Sequence, residues 1–229
     1  MRIVIAGGHG QIARRLTRHL TGRGDQVVSI VRQRAHLPDV EQDGATGMLR
    51  DLETASVAEV ADVLAGADAA VFAAGAGPGS GIARKDSVDR ASAVLLADAA
   101  ERARVGRLVQ ISSMGTDHVT DGAVPPGVGE VFVAYLQAKA AAEDDLRRRD
   151  GLDWTILRPG GLTDEAGSGL VALAPRVSRG SVPRDDVATV VVALLDDHRT
   201  AGMTLELTSG DTAVQQAVAA LTTPTQGIS

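Results

Sequence analysis

Tyr135 is the sole tyrosine of a 229-residue chain, and it stands four residues before Lys139, one of only two lysines. On a helix that spacing puts both side chains on one face, a turn apart. An ammonium held nearby favours the phenolate over the phenol, so Tyr135-Leu136-Gln137-Ala138-Lys139 can work as a proton-transfer pair beside a hydride donor or acceptor. A tyrosine packed on a helix face next to a solvated lysine would show the same spacing. What separates the two readings is whether the rest of the chain builds a nucleotide site.

It carries the parts of one. The segment Arg2-Ile3-Val4-Ile5-Ala6, apolar from Ile3 on, is followed at once by Gly7-Gly8-His9-Gly10-Gln11-Ile12-Ala13. Strand, glycine turn and helix in that order make a dinucleotide fingerprint. Gly7 permits the tight turn, and Gly10 lets backbone amides approach a pyrophosphate. The helix that opens at Gln11 and Ile12 offers unpaired N–H groups and a partial positive charge. Gly8 and His9 lie inside the turn, His9 facing phosphate or solvent.

The end of the second strand reads Ser29-Ile30-Val31-Arg32-Gln33-Arg34, with no acid to take a ribose hydroxyl and two arginines that suit a 2′-phosphate. NADP(H) is therefore favoured over NAD(H), with Arg32 the stronger candidate and Arg34 the weaker. Asp51-Leu52 falls after the third strand, where a carboxylate can accept a bond from the adenine amino group. Ala73-Ala74-Gly75 follows the fourth, where small residues leave room for ribose and pyrophosphate. The loop continues as Pro78-Gly79-Ser80-Gly81, a flap or a simple turn.

The elements that must hold these residues alternate along the chain. Strands are expected at Arg2–Ala6, Gln26–Val31, Gly47–Arg50, Ala69–Ala73, Arg107–Ile111, Trp154–Leu157 and Thr204–Thr208. Helices are expected at Gln11–Thr21, after an N-cap at Thr54, and over Lys85–Arg104, Val128–Arg149, Asp185–Asp196 and Thr212–Leu221. Repeated strand-helix-strand units imply a parallel sheet covered on both faces, with ligands beyond the carboxyl ends of the strands. The expected fold is α/β: a single Rossmann-like doubly wound parallel sheet over residues 1–221 with a small C-terminal substrate lobe. The lobe segments are about 159–184 and 200–221, and 222–229 is expected to be a disordered tail.

Composition bounds the rest. No cysteine is present, which removes disulfides, thiolate metal sites and cysteine nucleophiles. The five histidines have no mutual spacing suited to a metal, so none is expected. A net charge of -6 without a basic run argues against nucleic acid, and no apolar run is long enough for a membrane span. With the first strand beginning at Arg2 there is no room for a leader, so a cytoplasmic protein is expected. The run Glu143-Asp144-Asp145 before Arg147-Arg148-Arg149 reads as a solvated helix end.

Together these residues resemble the short-chain dehydrogenase/reductase superfamily, in particular its atypical, epimerase/dehydratase-like branch. The resemblance rests on Gly7-x-x-Gly10-x-x-Ala13, Asp51-Leu52, Ala73-Ala74-Gly75, Ile111-Ser112-Ser113 and Tyr135-x-x-x-Lys139. It extends through Trp154-Thr155-Ile156-Leu157-Arg158-Pro159-Gly160-Gly161-Leu162-Thr163 and Val182-Pro183-Arg184-Asp185-Asp186-Val187-Ala188. It implies Tyr135 as general acid/base and Lys139 as ligand of the nicotinamide ribose. It implies Ser113, or Ser112, as the serine that binds the substrate oxygen. Asp89 stands where many relatives place a relay asparagine. Pro159, Gly160 and Leu162 would meet the nicotinamide carboxamide.

The implied function is an NADP(H)-dependent oxidoreductase or epimerase acting on a small carbonyl/alcohol, quinone or flavin substrate. The alternative is an NADP(H)-sensing regulatory protein without catalysis. A small-molecule partner is expected, and monomer and homodimer both stay open.

Overall fold

The structure is a computed structural model and describes residues 1–77, 79–119 and 129–221. The tail 222–229, Pro78 and residues 120–128, between Ser113 and Tyr135, lie outside the described residues.

In β1 (Arg2–Ala6), Ile3, Val4, Ile5 and Ala6 are all fully buried, as a strand covered on both faces requires. Successive side chains point to opposite faces. Ile3 and Ile5 join the core under α1 (Gln11–Gly22), while Val4 and Ala6 join the other half. The chain continues through β2 (Gln26–Val31), α2 (Leu37–Gln42), β3 (Thr46–Leu49), α3 (Val57–Leu64) and β4 (Ala69–Phe72). A helical turn α4 (Ile82–Arg84), a π-helical stretch Lys85–Ala91 and α5 (Ser92–Ala103) follow without a break. Next come β5 (Arg107–Ile111), α6 (Glu130–Arg147) and β6 (Asp153–Pro159). The chain ends through β7 (Gly161–Thr163), β8 (Leu170–Ala174), β9 (Ser181–Pro183), α7 (Arg184–Asp196), β10 (Met203–Ser209), β11 (Thr212–Ala213) and α8 (Val214–Leu221).

The main sheet has nine strands in the order β11-β8-β10-β6-β5-β4-β1-β2-β3. It is parallel from β3 to β10, with β8 and β11 added antiparallel at one edge. The expected doubly wound α/β sheet is thus the observed one, with α1, α7 and α8 on one face and α3, α5 and α6 on the other. Strand order reverses between β1 and β4, which opens a crevice at their carboxyl ends. No helix among the described residues is long and apolar enough to cross a membrane.

Three local expectations are corrected. The N-cap of α3 is Ser56, not Thr54: Ser56 Oγ accepts from Glu59 N–H at 3.3 Å, and Glu59 Oε2 accepts from Ser56 N–H at 2.9 Å. That reciprocal pair satisfies two orphan donors, which Thr54 is too early to do. The helix expected over Lys85–Arg104 opens with π-helical geometry, so Lys85, Val88, Asp89 and Ser92 are buried together. The segment after Pro159, for which no strand was expected before Thr204, holds β7, β8 and β9. β7 and β9, three residues each, are too short for alternation to register.

Candidate cofactor and active site

The turn after β1 has to be glycine at its first position. Gly7 has φ +80°, and a Cβ there would lie 2.5 Å from Ala74 Cα. The Gly10 N–H donates to Gly7 O at 2.9 Å and closes the turn. Gln11 and Ile12 follow in the first turn of α1, where their amides have no intrahelical acceptor. Gly7→Ala is expected to cost about 1–3 kcal/mol through strain and overlap, read as a lowered urea midpoint.

Two cavity lobes, about 220 and 930 Å³, meet along Gly10, Ala73, Ala74 and Gly75. The smaller is walled by Gly7, His9, Arg32, Asp51 and Leu52, all expected there, and also by Arg50, Glu53, Arg84 and His36, which the sequence did not mark. Arg34 is exposed and lines neither lobe. The chain leaves β2 through a 3-10 turn, Arg34–His36, that presents His36 inward in its place. The His9 and His36 rings stack at 3.7 Å and 4°, and His9 Nε2 bonds Asp39 Oδ2 at 2.7 Å. Burial, with His9 beside it, holds His36 below the usual imidazole value. Gly8 faces away: its N–H donates to Ile30 O at 2.9 Å, and a Cβ would come within 2.5 Å of Ser29 Cβ. Its smallness serves packing of the turn on β2.

Glu53 organises this lobe. It accepts from Arg84 Nη2 and Ser87 Oγ, each at 2.6 Å, with Arg32 Nη1 3.7 Å away. The bond from Ser87 and the pairing with Arg84 hold its carboxyl below the usual range.

The larger lobe gathers Tyr135, Lys139, Ser113, Asp89, Pro159, Gly160 and Leu162, together with Gln11 and Ile12. Lys139 is 3% exposed. Its Nζ lies 3.3 Å from Asp89 Oδ1 and donates to Ile111 O at 3.2 Å and Ala74 O at 3.4 Å. Asp89 Oδ2 accepts from Ala76 N–H at 3.2 Å, which ties the loop after β4 to the same pair. Tyr135 is half-buried one turn before, its ring centroid 5.9 Å from Lys139 Nζ. Gly160 allows its strand end to pass under the chain, since a Cβ would overlap Gly180 O at 2.3 Å. Of the two segments expected to form a substrate lobe, 159–184 supplies Pro159, Gly160, Leu162 and Arg184 to this wall. The segment 200–221 supplies sheet and helix instead.

The two serines differ in what they touch. Ser112 Oγ donates to Glu143 Oε1 at 2.5 Å and is buried. Among the described residues Ser113 Oγ meets only Met114 O, at 3.2 Å, and it is half-buried at the lobe. Glu143, expected at a solvated helix end, is fully buried. It pairs with Arg158 Nη2 at 2.5 Å and Arg147 Nη2 at 2.7 Å. Arg149 of the same run is also largely enclosed, by Asp98, Glu101 and Asp145. Burial works against the charge of Arg158, but the bonds it donates to Glu143 and the charge of that carboxylate outweigh it and raise its pKa above the ordinary value.

Sequence reasoning missed Lys85. It is 8% exposed, lines the larger lobe, and its Nζ stands 5.4 Å from the Tyr135 ring centroid. Its rarity was visible, but a separation of 50 residues from Tyr135 carries no periodic signal.

A family described as NAD(P)H-binding matches residues 7–198 of the chain. The uncharacterized sugar epimerase YhfK of Bacillus subtilis is 33% identical over 219 residues, covering 95% of this chain and 99% of that one. A solved protein of Bacillus halodurans, named as a candidate NAD-dependent epimerase/dehydratase, is 34% identical. Its TM-score is 0.86, over 96% of this chain and 100% of that one. The oxidoreductase ylbE of Lactococcus lactis is 27% identical with a TM-score of 0.83, over 96% of each chain. The chain belongs to the NAD(P)H-binding family, within the atypical branch of the short-chain dehydrogenase/reductase superfamily, and is an NAD(P)-binding protein of the oxidoreductase or epimerase kind.

Proposed function

We propose that the protein is an NADP(H)-dependent oxidoreductase that reduces a small carbonyl or quinone compound, with Tyr135 moving the proton. The observation that carries this reading is the continuity of the two lobes. The glycine turn and the Tyr135–Lys139–Asp89 group share one wall, Gly10 with Ala73-Ala74-Gly75. Residues fit a dinucleotide there: a turn that only glycine can make, helix amides without acceptors, and arginines around the smaller lobe. A bound nicotinamide supplies or accepts the hydride.

The chain's own residues do the rest. Tyr135 Oη donates to the substrate oxygen as negative charge develops there, and takes the proton back in the reverse direction. The Lys139 ammonium, fixed by Asp89 and two carbonyls, holds positive charge one turn from the phenol. Ser113 offers a second donor to the same substrate oxygen, because Ser112 is committed to Glu143. Asp89 is a positioning residue, joining Lys139 to the backbone at Ala76. Pro159, Gly160 and Leu162 bound the nicotinamide side of the lobe.

Preference for NADP(H) is supported by Arg32, Arg50 and Arg84 around the smaller lobe, against two carboxylates there, Asp51 and Glu53. Guanidinium groups match a 2′-phosphate as bidentate donors. NADPH is expected to bind at least about tenfold more tightly than NADH, and Arg32→Ala to remove most of that difference while sparing NADH. Titration of intrinsic or cofactor fluorescence measures both constants, and equal affinities would sink the assignment. The activity itself is tested by NADPH oxidation with a panel of aromatic aldehydes, quinones and free flavin. Tight NADPH binding with no turnover of any of them would favour the sensing role.

A further inference from the structure

Both lysines of the chain lie against its one tyrosine, in a protein that otherwise uses arginine. Their surroundings differ. Lys139 has a carboxylate, Asp89, 3.3 Å away. Lys85 has none in ion-pair reach among the described residues. Its Nζ donates to Gly77 O at 3.0 Å and faces the Tyr135 ring. One carbonyl uses one of three N–H donors, and a ring face does not neutralise a charge. An ammonium that is nine-tenths buried is normally paired with an anion. The third cation of the lobe, Arg184, is already matched by Asp164 at 3.0 Å. Lys85 is therefore the lobe's cation with spare capacity, and the π-helical stretch turns it and Asp89 inward together.

We propose that Lys85 receives an anionic group of the substrate, a carboxylate above all, so that the compound handled at Tyr135 is an acidic carbonyl compound with an apolar body. This rests on the reading of the larger lobe as the substrate site. The apolar body is called for by the rim, where Val131, Phe132 and Leu162 are large exposed hydrophobic side chains gathered at one mouth. A patch of that kind on a cavity rim marks a ligand surface. Lysine suits the anion as a compact point charge on a flexible stem.

The test is binding of 1-naphthoate and 1-naphthamide to the NADP⁺-saturated protein by calorimetry. The two probes differ only in the charged end. The wild type should bind naphthoate about tenfold more tightly than naphthamide; Lys85→Met should bring the two within about twofold, and Lys85→Arg should keep most of the preference. A merely structural Lys85, bracing the Gly77 loop, would weaken both probes alike in Lys85→Met and leave their ratio intact. An unchanged ratio in that variant, no preference in the wild type, or no binding of naphthoate overturns the proposal. NADPH affinity of Lys85→Met checks its fold, and Lys85→Gln, which should narrow the ratio in the same way, takes its place if that variant fails. The outcome is separable from the proton-transfer reading, which is judged on Tyr135 by turnover.

Discussion

Tyr135→Phe is expected to lower kcat for NADPH oxidation by about 10²–10⁴-fold, the usual worth of a positioned acid. The substitution removes one oxygen and keeps the ring. The tilted contact with Phe132 at 5.7 Å and both lysine-to-ring contacts survive, so the lobe keeps its shape. The NADPH dissociation constant should stay within about twofold, because a contact made only in the transition state does not strengthen ground-state binding. KM for the carbonyl compound should move far less than kcat. Unchanged turnover in this variant would dismiss the tyrosine mechanism. Lys139→Met should behave differently, harming both kcat and NADPH binding, since its ammonium faces Asp89 and two carbonyls at the junction of the lobes.

Glu143→Ala should be the most destabilising single change among the residues around the site, by about 3–5 kcal/mol in urea unfolding at neutral pH. Glu143 is fully buried and accepts from Ser112, Arg158 and Arg147. Its removal leaves Arg158 enclosed with Asp117, 2.7 Å away, as the remaining anion. Glu143→Gln keeps an acceptor for Ser112 and should lose less. A loss below about 1 kcal/mol for the alanine variant would mean that solvent replaces the carboxylate, contrary to its burial. The same cluster has an acid limit. Burial pushes Asp117 up, but Arg158 and Arg176 outweigh it and hold its carboxyl below the usual range. Its stabilisation is therefore present above the ordinary carboxylate pKa of ~3.9 and is lost as pH falls through the lower folded value. Glu143 sits about two turns beyond Tyr135 on α6. The buried pair thus fixes the helix that carries the acid.

The order of elements was legible because local rules decide it. An unbroken apolar run before a glycine turn can only be a buried strand leading into a helix, and Gly7 at φ +80° bears that out. Tyr135 and Lys139 share a helix, so their spacing carried their juxtaposition. What escaped was set by tertiary contact. Glu143 looks like any surface acid beside Asp144 and Asp145, and only the arrival of Arg158 from β6 makes it interior. Glu53 meets Arg84 and Ser87 across 31 and 34 residues, and Lys85 meets Tyr135 from a different helix. The π-helical geometry was hidden because its apolar stripe, Val88 with Ala91 and Leu95, fits a regular helix equally well. Arg34 has a matching charge two residues past Arg32, but the backbone turns there, leaving Arg34 exposed off the lobe wall and bringing His36 to it.

The sheet ends on two short strands, four residues at β3 and two at β11. A strand edge is a row of unmatched backbone donors and acceptors, and a long one recruits strands from other molecules. Here the row at each end of the main sheet is short. Margins this short work against the edge-to-edge growth that leads long, flat sheet edges into aggregates.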